Sequence, residues 1–367
     1  MSAVAVADRD FMIGALSLAA RNLGDTWPNP SVGCVIVKDG AVIGRGWTQS
    51  GGRPHAETEA LRRAGSAAKG ADAYVTLEPC SHQGKTPPCA DALIAAGIAR
   101  VVVATIDKNP NVYGGGLKKL QDAGIAVEIG VCEAEARRLN AGFFLKIEQN
   151  RPLFALKTAT TLDGRIALAS GDSQWITGEA ARDAGKSLRA RYDAILVGSG
   201  TVLADNPMLT CRVPGYAGRP KVRIVMDRRG RTPPKSVIAA TAREASTWII
   251  AAKGADCAAL EAQGAEIITV SGKDDAEFAV NAAKELANRG LTRVMIEGGG
   301  TVAAAFLKAD LIDEIAWFRA PKVIGGDGTA GIGALGLGKL SESPAFKHRE
   351  QLVFGADTLD FLDRART

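Results

Sequence analysis

The sequence predicts two consecutive α/β domains. Strand-like runs rich in Val and Ile alternate with stretches of helical periodicity along the whole chain. One polar break, Lys146-Ile-Glu-Gln-Asn-Arg-Pro152, interrupts that alternation and ends in proline. A length of 367 residues suits two domains of ordinary size. The boundary is placed there, giving domains of 1–147 and 148–367.

In the first domain, Phe11, Leu16, Leu18 and Ala19 recur at helical spacing, predicting a helix over Asp8–Leu23 that Gly24 stops. Two strand-like runs, Val32–Val37 and Ala41–Trp47, flank Lys38-Asp39-Gly40. Asp-Gly between such runs signals a hairpin. A helix (Ala56–Ala64), a strand (Ala73–Leu77) and a helix starting near Pro88 follow. Then come a fully apolar strand (Val101–Ala104), a helix (Gly116–Ala123), a strand (Ala126–Ile129) and a last helix (Glu133–Leu145). Alternation of this kind predicts largely parallel pairing after the hairpin.

The second domain opens with a strand at Leu153–Lys157. Further strands are expected at Ala194–Val197, Val222–Met226, Thr247–Ala251, Glu266–Thr269, Arg293–Ile296 and Ile315–Phe318, with helices between several of them. The chain closes with an antiparallel hairpin, His348–Phe354 and Thr358–Leu362, around Gly355-Ala-Asp357.

Composition narrows the function. Apolar residues make up 46% and charged residues 23%, as in globular chains. The net charge of +5 is spread over both halves, with no basic arm or acidic tail. Only 5% of residues are aromatic, so the basic stripe with stacking aromatics of a nucleic-acid binder is missing. No apolar run approaches the ~18 residues that span a bilayer, and the start, MSAVAVADRD, lacks the basic region of a signal peptide. A cytoplasmic protein without nucleic-acid or membrane partners is expected. Six Cys are too few for a disulfide scaffold and are read singly.

Three residues suit a metal. His55 opens a helix, Cys80 follows a strand, and Cys89 follows Pro87-Pro88 at another helix start. One His and two Cys match zinc with a fourth position left for water. Glu57, beside them, is a free carboxylate suited to moving protons. On a regular helix Glu57 would lie about 200° around from His55. Both reach one site only if His55 sits at the very start of the helix. A purely structural zinc site would close with a fourth ligand, for which His82 is the nearby candidate.

Two glycine turns follow strands in the second domain. Val294-Met-Ile-Glu297 runs into Gly298-Gly-Gly-Thr301 and a helical stretch. Val197-Gly-Ser-Gly-Thr201 repeats the pattern. Bare amides at a helix start cradle phosphate, and two such turns favour a dinucleotide over one phosphate. A tight turn with close helix packing is the plainer reading of each.

His55-Ala-Glu57 with Pro79-Cys80 and Cys89 resembles the zinc nucleobase-deaminase signature, although eight residues rather than two separate the cysteines. Pro28-Asn-Pro-Ser-Val-Gly-Cys34 and Thr76-Leu-Glu-Pro-Cys-Ser-His82 narrow the likeness. Thr161-Leu-Asp-Gly-Arg165, Ser173-Gln-Trp-Ile-Thr177 and Thr201-Val-Leu-Ala-Asp205 extend it over nearly the whole chain. The sequence resembles the bifunctional deaminase–reductases of riboflavin biosynthesis.

The resemblance implies a cytidine-deaminase-like three-layer α/β/α domain followed by a dihydrofolate-reductase-like α/β domain. The first would remove an exocyclic amine from a phosphorylated ribosylaminopyrimidinone. The second would reduce its ribosyl group with NADPH. His55, Cys80 and Cys89 would bind zinc, and Glu57 would be catalytic. Asn29 would read the base edge or serve only its turn. Ala159, Trp175, Thr201 and Asp205 would meet NADPH, as would the turn of Gly299, Gly300, Thr301, Val302, Ala303, Ala304 and Ala305. Ser173, Arg189, Leu209, Arg212 and Glu297 would meet the substrate. Arg189 and Arg212 suit the sugar phosphate, unless they are ordinary surface charges. Lys157 would hold an oxygen or deliver a proton. Arg228, with Arg229 and Arg231, could grip the 2′-phosphate of NADPH, or form only an exposed turn. The partner is thus a small phosphorylated pyrimidine, and assembly of identical chains is compatible with this reading.

Overall fold

The structure, a computed structural model, describes residues 3–83, 87–110 and 112–365. The chain divides into two compact units, Met1–Gln149 and Asn150–Thr367. The division falls two residues beyond the expected boundary because the last helix of the first unit continues to Gln149. Asn150 then turns the chain at φ 50°, the left-handed conformation in which helices commonly end.

The first unit contains α1 (Ala3–Ala19), β1 (Gly33–Lys38), β2 (Ala41–Trp47), α2 (Ala56–Ala64), β3 (Asp72–Val75) and α3 (Cys89–Ala95). It continues with β4 (Arg100–Val103), α4 (Gly115–Asp122), β5 (Ala126–Ile129), α5 (Glu133–Leu139) and α6 (Ala141–Gln149). The sheet order is β2-β1-β3-β4-β5. β1 is antiparallel to β2 and β3, and β3, β4 and β5 run parallel. Asp39 and Gly40 both take positive φ, as the predicted two-residue hairpin turn requires.

Strand alternation makes three layers. Val35, Val37 and Val102 pack with Met12, Ala15 and Leu18 of α1. Cys34, Ile36, Val101 and Val103 face the other way, against Ala60 of α2, Leu93 of α3 and Leu120 of α4. The predicted last helix is two helices. At the break Asn140 is buried, and its side chain accepts from the Ser31 N–H (2.8 Å) and donates to the Ser31 carbonyl (2.9 Å). That contact pins the Pro28–Cys34 loop to the helical layer.

The second unit contains β6 (Leu153–Thr161), β7 (Arg165–Ala167), α7 (Glu179–Leu188), β8 (Ala194–Gly198), α8 (Ser199–Asp205), β9 (Val222–Met226) and α9 (Val237–Ala240). Next come β10 (Thr247–Ala252), α10 (Ala258–Ala262), β11 (Glu266–Val270), α11 (Asp275–Asn288), β12 (Arg293–Glu297) and α12 (Gly300–Lys308). β13 (Ile312–Ala320), β14 (Thr329–Ala330), β15 (Phe346–Phe354) and β16 (Asp357–Arg364) complete it. The main sheet runs β11-β10-β9-β8-β12-β6-β13-β16-β15. It is parallel from β11 to β13, and the closing hairpin adds antiparallel at the β13 edge. Every residue of β8 is buried, as a strand covered on both faces must be. β8 and β12 are neighbours, so the two glycine turns leave the same edge of the sheet side by side.

Candidate active sites

In the first unit, His55 is the residue before α2, with an extended backbone (φ −73°, ψ 160°). Its direction is therefore free of the helical step, and it shares a site with Glu57 inside the first turn. Cys80 lies in the loop after β3, and Cys89 is the first residue of α3. His55 Nδ1 lies 3.3 Å from Cys89 Sγ and 3.7 Å from Cys80 Sγ. The three ligand atoms all fall within 4.8 Å of one another. Tetrahedral zinc with bonds of about 2.0–2.3 Å needs ligand separations of roughly 3.5 Å, so the donor set and spacing fit that ion. His82 is exposed and stands outside this group.

The local electrostatics suit such a site. Hydrogen bonds from the Cys89 thiol and from His55 bring the Cys80 thiol down to about 4, while the same contact with Cys80 pushes Cys89 up. A bound dication would favour both thiols as thiolates. Glu57 is buried, and burial pushes its carboxyl up, against the opposing charge of His55. Asn29 reaches the same loop: a Cβ on Gly52 would lie 2.0 Å from Asn29 Nδ2. Gly52, three residues before His55, leaves the space that Asn29 fills.

Two acidic residues here were missed in the sequence. Glu78 is buried and accepts from the N–H groups of Asp107, Gly114, Gly116 and Leu117, drawing the start of α4 onto the Cys80 loop. Asp107 is buried and pushed up to about 6 by desolvation. A carboxylate ahead of Pro79-Cys80 and the run Gly114-Gly-Gly116 were the available signals for Glu78.

In the second unit, Lys157 of β6 stands opposite Glu297 of β12 in register. Arg189, just after α7, donates from Nε and Nη2 to the two Glu297 oxygens at 2.6 and 2.8 Å. Its Nη1 donates to the Thr210 carbonyl at 2.7 Å. Burial would push Glu297 up, but the Arg189 hydrogen bonds and charge outweigh it and hold the carboxylate below its ordinary range. Burial lowers Lys157, whose ammonium lies 5.6 Å from the Phe318 ring centroid. Arg189, Leu209 and Arg212 line one cleft of about 470 Å³ together with Asp183, Lys186, Pro207, Met208 and Thr210. Leu209 is buried at φ 52°, a strained backbone at the cleft wall. In the free protein Arg189 is thus paired with Glu297 while lining the same cleft as Arg212.

The two glycine turns lie against each other. Gly298 and Gly299 take positive φ, and a Cβ on either would lie within 3.5 Å of the Thr201 hydroxyl. A dinucleotide phosphate fits this cradle of bare backbone. Beyond it, the Ala303 N–H donates to the Gly299 carbonyl, and the side chains of Ala303, Ala304 and Ala305 are buried. Ala159 lies two residues beyond Lys157 on the same face of β6. Ser173 is half-buried in the loop before α7. Trp175, in the same loop, is 61% exposed with the Arg182 guanidinium 4.5 Å from its ring centroid. Asp205 ends α8.

Arg228 and Arg231 make different contacts in the free protein. The Arg228 guanidinium is tied to the Asp275 carboxylate (3.0 Å) and to the Gly272 and Lys273 carbonyls (2.6 and 3.2 Å). It braces the start of α11. Arg231 instead donates to Ser199 Oγ at 3.0 Å, beside the Gly198–Thr201 turn. Buried Asp227 aims it by accepting from the Arg231 and Thr232 N–H groups.

Residues 6–105 match the family model of the cytidine and deoxycytidylate deaminase zinc-binding region, and residues 152–359 match that of the RibD C-terminal domain. The chain belongs to the RibD family. It is 43% identical to riboflavin biosynthesis protein RibD of Aquifex aeolicus (97% of this chain, 98% of that one). It is 44% identical to RibD of Escherichia coli (95% and 97%). Acinetobacter baumannii RibD superposes with a TM-score of 0.90 at 38% identity (99% and 100%). The diaminohydroxyphosphoribosylaminopyrimidine deaminase/5-amino-6-(5-phosphoribosylamino)uracil reductase of Thermotoga maritima does so at 0.87 and 36% (99% and 100%). As a RibD-family chain it is a bifunctional enzyme of riboflavin biosynthesis, with a zinc-dependent deaminase domain and an NADPH-using reductase domain. Among the described residues, no helix is long and apolar enough to cross a membrane.

Proposed function

We propose that the first unit deaminates 2,5-diamino-6-ribosylamino-4(3H)-pyrimidinone 5′-phosphate, and that the second reduces the ribosyl group of the product to ribityl. The observation that carries the reading is the cluster of His55, Cys80 and Cys89 with the buried Glu57 carboxyl against Cys89. Held by those three residues, zinc supplies Lewis acidity toward water. Glu57 takes a proton from the attacking water and returns it to the exocyclic nitrogen, so that ammonia leaves and a ring carbonyl remains. Asn29 orients the base against the Gly52 loop.

In the second unit, Gly299 to Val302 and Thr201 would hold the phosphates of NADPH and Arg231 its 2′-phosphate, and the cofactor would supply hydride for the ribosyl C1′. Lys157 protonates the sugar oxygen released as the C1′–oxygen bond breaks. Glu297, fixed by Arg189, holds the adjoining hydroxyl. Arg212 holds the 5′-phosphate at the cleft mouth. The location proposed is the cytoplasm, and among the described residues no cysteine is in a disulfide.

The test supplies the diamino substrate with and without NADPH and follows ammonia and NADPH absorbance separately. Ammonia should appear in both mixtures, and NADPH should be consumed only after it. Absence of ammonia release would overturn the reading of the first unit.

A further inference from the structure

The cleft beside Arg189 holds three cationic side chains, Lys186, Arg189 and Arg212, and one carboxylate, Asp183. Arg189 is occupied by Glu297 and by the Thr210 carbonyl. Arg212 alone is a poor match for a phosphate of nearly two negative charges. The remaining cation is Lys186, whose ammonium lies 2.8 Å from Asp183 Oδ1. Residues 183, 186 and 189 follow one another at three-residue steps along α7 and its end, so they share a face.

We propose that Lys186 is a second phosphate-binding cation of the reductase cleft, acting with Arg212, and that it exchanges Asp183 for the phosphate. The inference rests on the reading that this cleft takes a 5′-phosphorylated substrate. Both partners of the pair are more than half exposed, at 51% and 62%, so their mutual hold is weak. A phosphate offers more charge and more acceptor oxygens than one carboxylate. The four-carbon stem of lysine lets the ammonium swing from Asp183 to the ligand without disturbing α7. In the free enzyme, Asp183 keeps that ammonium at the cleft rather than in bulk water.

The test measures NADPH oxidation with the deaminated substrate, with and without its 5′-phosphate. Lys186→Met should raise KM for the phosphorylated compound about fivefold, with kcat nearly unchanged. KM for the phosphate-free compound should not move. Asp183→Asn should lower KM for the phosphorylated compound only, because the ammonium is then released. An unchanged KM in Lys186→Met, or an equal rise for both compounds, would overturn the assignment. Failure of the underlying reading looks different. In that case the wild type would not distinguish the two compounds, and Arg212→Ala would be silent as well. If phosphate matters and Arg212→Ala registers it while Lys186→Met does not, the cleft stands and Lys186 is refuted.

Discussion

Arg189 grips Glu297 through two parallel hydrogen bonds, and the two residues are 108 positions apart in the chain. The pair joins the end of α7 to the end of β12 and sets the carboxylate opposite Lys157. Arg189→Ala would leave a largely buried carboxylate without its partner, at a cost on the order of 3 kcal/mol to the second unit. Glu297 would also lose its aim, and reductase kcat/KM should fall about a hundredfold. Arg189→Lys cannot make the two-point contact and should restore little. Denaturant unfolding and NADPH oxidation check both points. A KM effect confined to phosphorylated substrate, with stability intact, would return Arg189 to the phosphate.

The proposed zinc site takes its three donors from the residue before α2, the loop after β3 and the start of α3. Wild-type protein should carry about one zinc per chain. Cys80→Ser and Cys89→Ser should each lose the metal and ammonia release together, while NADPH oxidation on deaminated substrate continues. Metal analysis of the purified variants decides it, since full occupancy in either one would remove that cysteine from the site.

With Lys157 as the proposed proton donor, reduction should be sensitive to alkali. Burial lowers its ammonium, so the proton is lost at a lower pH than in an exposed lysine. If that proton is the one delivered to the sugar oxygen, reductase kcat is level at low pH and falls as pH rises through the lowered value. Lys157→Arg should be slower but should lose this alkaline limb. The stability effect has the opposite trend. The folded state binds this proton less readily than the unfolded state, so burial of the ammonium destabilises below the lowered value and is relieved as pH rises. Lys157→Met should therefore stabilise the second unit at neutral pH. A wild-type kcat that stays level through the alkaline range would exclude Lys157 as proton donor.

Cofactor preference should follow Arg231 rather than Arg228. Loss of a charge-assisted contact of ~1.5–3 kcal/mol would weaken NADPH about ten- to a hundredfold and leave NADH unchanged. Calorimetry of Arg231→Ala with 2′,5′-ADP reads this without turnover. Arg228→Ala should bind that probe normally and loosen the Gly272–Asp275 turn. The reverse pattern would put Arg228 on the phosphate.

Much of this was legible in the sequence because the signals were local. Asp39-Gly40 specifies its hairpin, and His55, Glu57, Cys80 and Cys89 carry their chemistry in their types and spacing. What the sequence did not show is contact between distant segments. Nothing near Arg189 indicated Glu297 as its partner, and Asp275, which pairs with Arg228, lies 47 residues away. The last helix of the first unit read as one because only tertiary contact brings Ser31 to Asn140. Local patterning identified which residues could act, whereas packing decided which of them were already engaged.

On the proposed reading, one chain carries two separate sites that work in a fixed order, deamination before reduction. Glu57→Gln tests it most directly. Gln keeps the shape but cannot carry the proton, so ammonia release should fall ~10²–10⁴-fold with zinc retained. Supplied with diamino substrate and NADPH, this variant should oxidise almost no NADPH. Supplied with the deaminated compound, it should oxidise NADPH at the wild-type rate. Rapid NADPH oxidation on the diamino substrate, without ammonia, would contradict the order. Loss of reduction on the deaminated compound would contradict the separation of the sites.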